Sequence, residues 1–355
     1  MDMGTTLAHT DDGQLVNEVL DSFFTQAKAR AGAMHPHYLR LWQHLEACTV
    51  GGKRFRPRLV MTVYSLLGGR DRRAAATVAA SFELLHTALI VHDDVVDRDF
   101  TRRGVPNLAG TYRSLAADQG GDADRAEHTG LSAAVIAGDL ALSNAYRLLA
   151  DAAAEPDTRQ RLGDLLDEAV MASAAGELLD VLAPLNPNPQ AVDEVLEMSK
   201  LKTAVYSFDV PLRAGAVLAG AEHALVDALG EFGRIIGTAY QVADDLVGAF
   251  GDESRTGKTG WGDLREGKRT ALISYAAQQP HWTRIQELLS RDLTARDAAE
   301  IRELLVASGA RDKTLKLAAD LTERALDVLV QPLVPQVLRD GLSPLSRLVT
   351  ERMGA

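Results

Sequence analysis

One long apolar segment limits what this chain can fold into. Residues 73 to 100 read RAAATVAASFELLHTALIVHDDVVDRDF, and the centre of the segment is nearly all apolar. Apolar residues recur at helical spacing from Leu15 onwards, and no alternating strand pattern exceeds a few residues. A helix that is apolar on every face must be buried among other helices. The sequence therefore predicts an all-α bundle of roughly ten or more helices around a central cavity.

The composition favours helices and argues against binding to nucleic acid. Hydrophobic residues make up 46% of the 355 residues, enough for a large core, whereas aromatic residues make up 5%. The formal net charge of -11 should repel a polyanion. The single cysteine, Cys48, fits a reducing compartment. The sequence has no uninterrupted run of about 18 apolar residues, so we expect no membrane span. We therefore expect a cytoplasmic protein.

The pattern along the chain indicates one domain with a short tail. Residues 1–14 are acidic and polar and predict a flexible N-terminal tail, whereas residues 15–355 are expected to form a single domain. Residues 104–130 are polar and contain glycine, so they predict a loop or mobile flap. The segment PLNPNPQ predicts a break between helices, and Pro211 is expected to interrupt or kink a later helix.

Two acidic segments suggest a metal site. In VHDDVVDRDFTRRG, Asp93 and Asp97 lie four positions apart, so one helix face carries both carboxylates. Alone, this pattern is equally typical of a solvated helix end. A second acidic pair, Asp244 and Asp245, ends another apolar helix, and Gln241 shares the face of Asp244. The repetition favours two helices that converge on one cavity, where carboxylates bind Mg²⁺ and the metal binds a diphosphate.

Small basic clusters accompany these acidic pairs. Lysine and arginine at helix starts and in loops bind diphosphate oxygens. A single such charge is usually solvated, and a histidine on an apolar helix, such as His86, is usually a core residue, but nearness to the acidic pairs favours phosphate binding. The candidates are Lys53, Arg54 and Arg56 in GGKRFRP, Arg102 and Arg103 in TRRG, Lys200, Lys202 and Thr203 in KLKTAVYS, and Lys258 and Lys268 in TGK and EGKRT.

Five segments in this order resemble the polyprenyl synthetase family of trans-isoprenyl diphosphate synthases. They are GGKRFRP, LLHTALIVHDDVVDRDFTRRG, KTA, QVADDLVGAFGD, and TGK followed by DLREGKRT. The resemblance implies an all-α fold of the isoprenoid synthase type, a homodimer, and about three Mg²⁺ ions per active site. It also implies the head-to-tail condensation of isopentenyl diphosphate with an allylic diphosphate of C5 to C15.

The resemblance implies a role for each motif residue. Asp93 and Asp97 resemble the metal ligands of the family's first aspartate-rich motif, and Asp244 resembles the ligand of the second. The implied catalytic residues are Asp93, Asp97, Arg102, Lys202, Asp244 and Lys258. The residues implied to bind the allylic diphosphate are Arg102, Lys202, Thr203, Gln241, Lys258 and Lys268, and those implied to bind isopentenyl diphosphate are Lys53, Arg56, His86 and Arg103.

One position departs from the family pattern. Gly248 stands where the second motif often has its last aspartate, so no metal contact is expected there. Asp244 is expected to keep its metal. Because glycine has the greatest backbone freedom, we also expect Gly248 to loosen the end of its helix.

The length of the product is predicted from the residues that precede Asp93. Leu89 and Ala88 lie four and five positions back, roughly 6 to 7.5 Å deeper along the helix. A bulky aromatic residue at the Ala88 position often closes the pocket in this family, so alanine argues against a C15 product. The similarity to actinobacterial C20 synthases favours geranylgeranyl diphosphate, with longer polyprenyl chains as the alternative. Leu85 or Leu142 are the other candidates for the pocket floor.

Two rival functions fit the sequence less well. A class I terpene cyclase normally carries asparagine, serine and glutamate spaced along a helix as its second metal motif, and that pattern is not evident here. It would also need no second set of basic residues. A non-catalytic partner subunit typically loses its aspartates, whereas this chain keeps the first motif. The sequence therefore favours an active prenyltransferase.

Overall fold

The computed structural model describes residues 10–50, 52, 54–102, 104–186, 188–251, 261–290 and 292–354. Helices account for 81% of the residues that the structure describes, which confirms the predicted all-α fold. The helices are α1 (Thr10–Met34), α2 (Pro36–Thr49), α3 (Phe55–Leu66), α4 (Arg72–Val96), α5 (Leu108–Asp118), α6 (Ala123–Ala150), α7 (Pro156–Leu182), α8 (Val192–Ser199), α9 (Val210–Leu218), α10 (His223–Phe250), α11 (Gly262–Arg265), α12 (Ala271–Ala277), α13 (Trp282–Leu289), α14 (Ala295–Ala307), α15 (Ala310–Leu329), α16 (Gln336–Leu342) and α17 (Ser346–Met353).

Two short strands and two 3₁₀ turns also occur in the described part of the chain. β1 (Thr101–Arg102) and β2 (Val105–Pro106) pair antiparallel, with Arg102 opposite Val105. A 3₁₀ turn, Ala183–Leu185, follows α7, and a second, Ser343–Leu345, precedes α17. The first of these turns and the start of α8 at Val192 confirm the predicted break at the proline-rich segment.

The first of two compact units has α4 at its centre. This unit comprises Met1–Glu168 and Val210–Val226. α4 begins where the Asp71 carboxylate accepts a hydrogen bond of 2.9 Å from the Ala74 N–H, which satisfies a donor of the first turn. Fifteen of the 25 residues of α4 are buried, and the helix packs against α3 and α6. A rigid, buried helix therefore carries the first acidic segment to its C-terminal end.

α4 is also long and apolar enough to cross a membrane by length and composition alone. Its most apolar 18-residue window has a mean hydropathy of 1.6, and 78% of that window is buried inside the protein. The core helix of a soluble protein meets the same criteria, so this is weak evidence for a span. The burial agrees with the core position that the sequence predicts for this segment.

The second compact unit comprises Ala169–Asp209 and Asp227–Ala355. Apolar residues from the end of α10 and from α11 to α15 form one core cluster in this unit. Arg302 of α14 donates a 2.7 Å hydrogen bond from Nε to the carbonyl of Ala249, in the last turn of α10. This bond supplies a partner to a carbonyl at a helix end, where the backbone lacks its own donors.

The second unit contains a π-helix. It spans Lys200–Asp209, ten residues, and π-helical turns are frequent at functional sites. Gly237 of α10 allows the two helices to approach closely, because a Cβ atom there would lie 2.7 Å from Cβ of Ala204. The Phe208 and Tyr240 rings contact each other at a centroid distance of 5.5 Å. The regular helix resumes at Val210, immediately before the proline that was expected to interrupt it.

The predicted loop over residues 104–130 is wrong in its larger part. α5 and the start of α6 occupy most of this stretch. Asn107 and Asp122 cap the two helices, since their side-chain oxygens accept hydrogen bonds of 2.8 Å from the N–H groups of Gly110 and Arg125. The polar residues that suggested a loop are therefore helix caps and exposed helix faces.

The predicted domain bounds have two outcomes. α1 begins at Thr10, inside the segment predicted to be a tail. The single-domain assignment stays a prediction.

Candidate active site

The first acidic segment lies at the C-terminal end of α4. Asp93 is half-buried, and Asp97 is exposed at the C-cap, where its N–H donates to the carbonyl of Asp93 at 2.9 Å. Asp94 is buried. The helical repeat of about 100° per residue explains this difference between neighbours. Asp93 and Asp97 thus lie on the side of α4 that reaches solvent, as their spacing predicts.

Arg102 supplies positive charge to these aspartates. The β1–β2 hairpin brings its guanidinium to Asp94, with Nη2 at 2.6 Å and Nε at 3.0 Å from Oδ1. Nη2 also lies 3.3 Å from Oδ2 of Asp93. Burial raises the pKa of Asp94, and Arg102 opposes that rise through its hydrogen bond and its charge. Burial tends to lower the pKa of Arg102, but the contact with Asp94 raises it overall.

Asp94 has a role that its sequence position did not reveal. The spacing argument singled out Asp93 and Asp97, whereas the shortest contact of Arg102 is to Asp94. A buried carboxylate oxygen that accepts from both Nε and Nη2 of one arginine is well suited to fix that arginine in place. Asp94 therefore positions Arg102 beside the two solvent-facing aspartates.

The basic motif before α3 is anchored to α4. Arg54 has a left-handed backbone (φ 48°), and its Nη1 lies 2.8 Å from Oε1 of Glu83. Its Nε donates to Oδ1 of Asn17 at 3.2 Å. The side chains of Arg54 and Glu83 are 16% and 7% exposed, so this ion pair is largely desolvated. Glu83 is a second residue that sequence reasoning missed.

The other predicted residues of the first unit are distributed as follows. Arg56 is half-buried in the first turn of α3, and His86 is half-buried on α4. Leu85 and Ala88 are fully buried, and Leu89 is half-buried. Lys53 and Arg103 of this unit, and Lys258 of the second unit, lie outside the described residues.

The second acidic segment lies in the last turns of α10. Asp244 is half-buried and Asp245 is buried. Gln241 donates from Nε2 to Oδ1 of Asp245 at 2.8 Å, although its spacing suggested Asp244 as its neighbour. Burial raises the pKa of Asp245 well above its usual value, and the charge of Asp263 raises it further. Asp244 and Asp245 therefore repeat the arrangement of the first segment, with one carboxylate towards solvent and one inside.

Gly248 makes room for Asp263. A Cβ atom at position 248 would lie 1.8 Å from Oδ2 of Asp263, closer than any real contact of that kind. α10 continues through Gly248 to Phe250, and the expectation that this glycine loosens the helix end stays a prediction. Asp263 packs against Gly248, and Arg302 bonds the carbonyl of Ala249 in the last turn. A carboxylate from α11 thus reaches the position where the family pattern has an aspartate.

The lysines of the second unit contact carboxylates. Lys202, in the π-helix, has its Nζ 2.6 Å from Oδ2 of Asp180 and 3.1 Å from Oε2 of Glu177. Lys268 has its Nζ 3.6 Å from Asp263 and 2.9 Å from Glu266. Thr203 follows Lys202 and is half-buried. The predicted basic residues of this unit are therefore set among acids.

Arg352 of α17 is a further residue at the second acidic segment. Its Nη1 lies 2.7 Å from Oδ1 of Asp244, and its Nη2 donates to the hydroxyl of Tyr240. Arg352 lies far along the chain from the last motif, EGKRT. A charged contact between such distant parts of the chain leaves no local sequence pattern, so residue spacing could not predict it.

The donors at both segments suit a hard divalent cation. Among the residues that the structure describes, no group of three or more histidine, cysteine, aspartate or glutamate side chains is arranged to hold a metal ion. Mg²⁺ is usually held by one or two carboxylates together with substrate phosphates and water. Asp93 with Asp97, and Asp244 alone, fit that mode of binding rather than an all-protein cage.

Comparison with known proteins first identifies the fold. A crystal structure of geranylgeranyl pyrophosphate synthase from Corynebacterium glutamicum, complexed with isoprenyl diphosphate and magnesium, matches with a TM-score of 0.88 at 29% identity, over 98% of this chain and 99% of that one. A polyprenyl synthase from Caulobacter crescentus, complexed with calcium and isoprenyl diphosphate, matches with a TM-score of 0.75 at 30% identity, over 97% of this chain and 95% of that one. The fold is therefore the all-α fold of the isoprenoid synthases.

Sequence comparison then identifies the family. The family model for polyprenyl synthetase matches residues 40–306. A geranylfarnesyl diphosphate synthase from Aeropyrum pernix is 32% identical over 314 residues, 87% of this chain and 93% of that protein. A nonaprenyl diphosphate synthase from Mycobacterium tuberculosis is 30% identical over 290 residues, 81% of this chain and 76% of that protein. The chain belongs to the polyprenyl synthetase family of trans-prenyltransferases.

Proposed function

We propose that this protein condenses isopentenyl diphosphate head to tail with an allylic diphosphate of C5 to C15 and releases a trans-polyprenyl diphosphate. The observation that carries the proposal is the end of α4. Asp93 and Asp97 face solvent there, and Asp94 holds Arg102 beside them. Two carboxylates with an adjacent fixed guanidinium suit a metal-bound diphosphate.

The reaction would proceed by ionisation, condensation and elimination. Asp93 and Asp97 of the first acidic segment, and Asp244 of the second, would hold Mg²⁺, which would supply positive charge for the departing diphosphate. Arg102, Lys202 and Lys258 donate hydrogen bonds to the same leaving group, so its C–O bond breaks and leaves an allylic carbocation. The double bond of isopentenyl diphosphate attacks that cation, and a proton is then lost to the departed diphosphate.

The two substrates need separate sets of basic residues. We assign one set of six residues to the allylic diphosphate. This set comprises Arg102, Lys202, Thr203, Gln241, Lys258 and Lys268. We assign isopentenyl diphosphate to the remaining set, which binds without metal. This set comprises Lys53, Arg56, His86 and Arg103. Apolar helices around the reacting carbons would exclude water, which otherwise converts the cation to an alcohol.

The central experiment uses labelled isopentenyl diphosphate with C5, C10 and C15 primers, followed by chromatography of the products. Asp93→Asn should lower kcat by about 10²- to 10³-fold, because it removes charge stabilisation of the leaving group. Asp118→Asn changes an exposed acid at the end of α5 and serves as the control. Helicity by circular dichroism should be unchanged in both variants. Near-wild-type turnover by Asp93→Asn would overturn the proposed site.

The same experiment separates the rival functions. A terpene cyclase would release diphosphate and a hydrocarbon from the allylic substrate alone. A non-catalytic subunit would form no product from any primer. Only a prenyltransferase incorporates the label from isopentenyl diphosphate into a longer diphosphate.

We further propose geranylgeranyl diphosphate, C20, as the product. Relatives carry names from geranylgeranyl to decaprenyl diphosphate synthase, so longer chains are the alternative. The support is Ala88, a small residue on α4 five positions before Asp93. Ala88→Phe should shorten the main product, and the series Ala88→Val, Ala88→Leu and Ala88→Phe should do so in steps. An unchanged product length in variants that keep their melting temperature would place the floor elsewhere, at Leu85, Leu89 or Leu142.

We also propose a cytoplasmic homodimer that binds about three Mg²⁺ ions in each active site. The support for the dimer is an exposed apolar seam on α7. Met171, Ala175, Leu178 and Leu182 are all exposed and are spaced four, three and four residues apart, and Leu185 extends the series by three more. Such spacing is typical of a helix that packs along another helix.

A further inference from the structure

The C-terminal helix places a guanidinium on the second acidic segment. Arg352 lies 2.7 Å from Asp244 through Nη1 and also donates to the Tyr240 hydroxyl. The guanidinium carbon lies 4.3 Å from the centroid of the Tyr240 ring. Tyr240 and Asp244 are one turn apart on α10, so a single side chain of α17 contacts two successive turns. Three separate contacts define the position of this arginine.

The surroundings of Asp244 explain why an arginine is favourable there. Asp244, Asp245 and Asp263 bring three carboxylates to the end of α10. Lys268 approaches Asp263 at 3.6 Å, whereas Arg352 contacts Asp244 directly. Arg352 therefore offsets repulsion on the side of the cluster formed by Asp244.

A guanidinium that is hydrogen-bonded to a carboxylate oxygen lowers the affinity of that oxygen for a metal ion, because the hydrogen bond uses one of its two lone pairs. Mg²⁺ needs an oxygen at about 2.0 to 2.1 Å and retains several waters in an octahedral shell. Arg352 Nη1 occupies the approach to Oδ1 of Asp244 at hydrogen-bond distance. Two cations at one carboxylate would also repel each other. The contact of Arg352 therefore opposes the formation of a metal shell on that oxygen.

We propose that Arg352 is a positioning residue that competes with a divalent cation for Asp244, so that the C-terminal helix sets the metal affinity of this segment. The proposal rests on the function proposed above, since it takes Asp244 as a metal ligand. Metal bound at Asp244 should weaken the docking of α17 on α10, and removal of the arginine should strengthen metal binding.

The test measures Mn²⁺ binding to the full chain, by the loss of the free-ion paramagnetic resonance signal, with inorganic diphosphate present. Arg352→Gln should lower the Kd of the site that involves Asp244 by roughly fivefold, the upper range for a half-exposed ion pair. Arg347→Gln removes an exposed arginine from the same helix and should leave the Kd unchanged. An equal or higher Kd in Arg352→Gln would overturn the proposal.

Two further measurements keep the outcomes distinct. Asp244→Asn should lose one class of Mn²⁺ sites. If all classes of sites remain, Asp244 is not a metal ligand, and the proposal for Arg352 fails together with that assignment. If Asp244→Asn loses the site but Arg352→Gln binds as the unmodified protein does, only the role of Arg352 fails. The second measurement is hydrogen exchange on the unmodified protein. Mn²⁺ with diphosphate should increase exchange in α17, and unchanged or slower exchange would contradict a displaced helix.

Discussion

Single side chains with buried charges determine how the basic motif before α3 is held. Glu83 contacts Arg54, and removal of one partner of a buried pair leaves an uncompensated charge. Glu83→Ala should therefore lower the free energy of unfolding by about 3 kcal/mol, measured by urea denaturation. It should also raise KM for isopentenyl diphosphate, because Arg54 adjoins Lys53 in the motif assigned to that substrate.

A matched control exists for this prediction. Glu18 forms a long, exposed pair with Arg73 at 3.7 Å, and such pairs contribute about 0 to 1 kcal/mol. Equal losses in Glu18→Ala and Glu83→Ala would contradict a special role for the buried pair. The double variant with Glu83→Leu and Arg54→Met should recover most of the stability, since no unpaired charge remains.

Cys48 gives a prediction about pH at the same scale. Cys48 is exposed as a residue, but local loss of hydration and the charge of Asp94 raise the pKa of its thiol while Arg102 lowers it, and together they bring the pKa to about 11. A folded-state pKa above the unfolded value means that this group stabilises the fold below about pH 9 and that the contribution is lost as the pH rises towards 11. Because the thiolate is the nucleophile, alkylation by iodoacetamide at pH 8 should be about 100-fold slower than in urea. A rate profile with a midpoint near 9 in the folded protein would contradict the raised pKa.

Among the elements, the contact between the π-helix and α10 is the one most sensitive to added volume. A methyl group at Gly237 would meet Ala204 at 2.7 Å and Phe208 at 2.9 Å. Gly237→Ala should therefore cost about 1 to 3 kcal/mol of unfolding free energy by overpacking. It should also raise KM for the allylic substrate, because the displaced π-helix carries Lys202 and Thr203.

Gly163 provides the opposite control for an alanine substitution. It lies within α7, where an added Cβ would meet nothing within 4 Å. Gly163→Ala should therefore stabilise the protein by about 0.5 to 1 kcal/mol, through the lower backbone entropy of the unfolded chain. If both substitutions raise the melting temperature, close packing at Gly237 is not the reason for the glycine.

The elements that could be predicted from sequence are those whose apolar spacing reflects burial. α4 and α10 were predicted because their buried faces are long and continuous, and the acidic segments at their ends followed from spacing along a helix. α5 was missed because polar residues interrupt its apolar spacing and because its start depends on a cap at Asn107. The π-helix and the contact of Asp263 with Gly248 were missed because they depend on how closely two separate segments pack, which no local pattern records.

At the scale of the whole molecule, the apolar seam on α7 makes the oligomeric state testable. Leu178 and Leu182 are 58% and 46% exposed, on the same side of the helix as Met171. Light scattering after size exclusion should give twice the chain mass of 38.2 kDa. Leu178→Glu with Leu182→Glu should convert the dimer to a monomer, because two charges would be buried without partners in a seam of this kind.

The control for the seam places the same charge on another exposed apolar residue. Val337, on α16, is 51% exposed and lies outside α7. Val337→Glu should leave the mass at twice that of the chain. Dissociation by Val337→Glu but not by the α7 variants would move the interface to α16. Because a charge on an already exposed residue hardly affects folding of the monomer, both variants should keep their helicity, and a change in mass then reports on association alone.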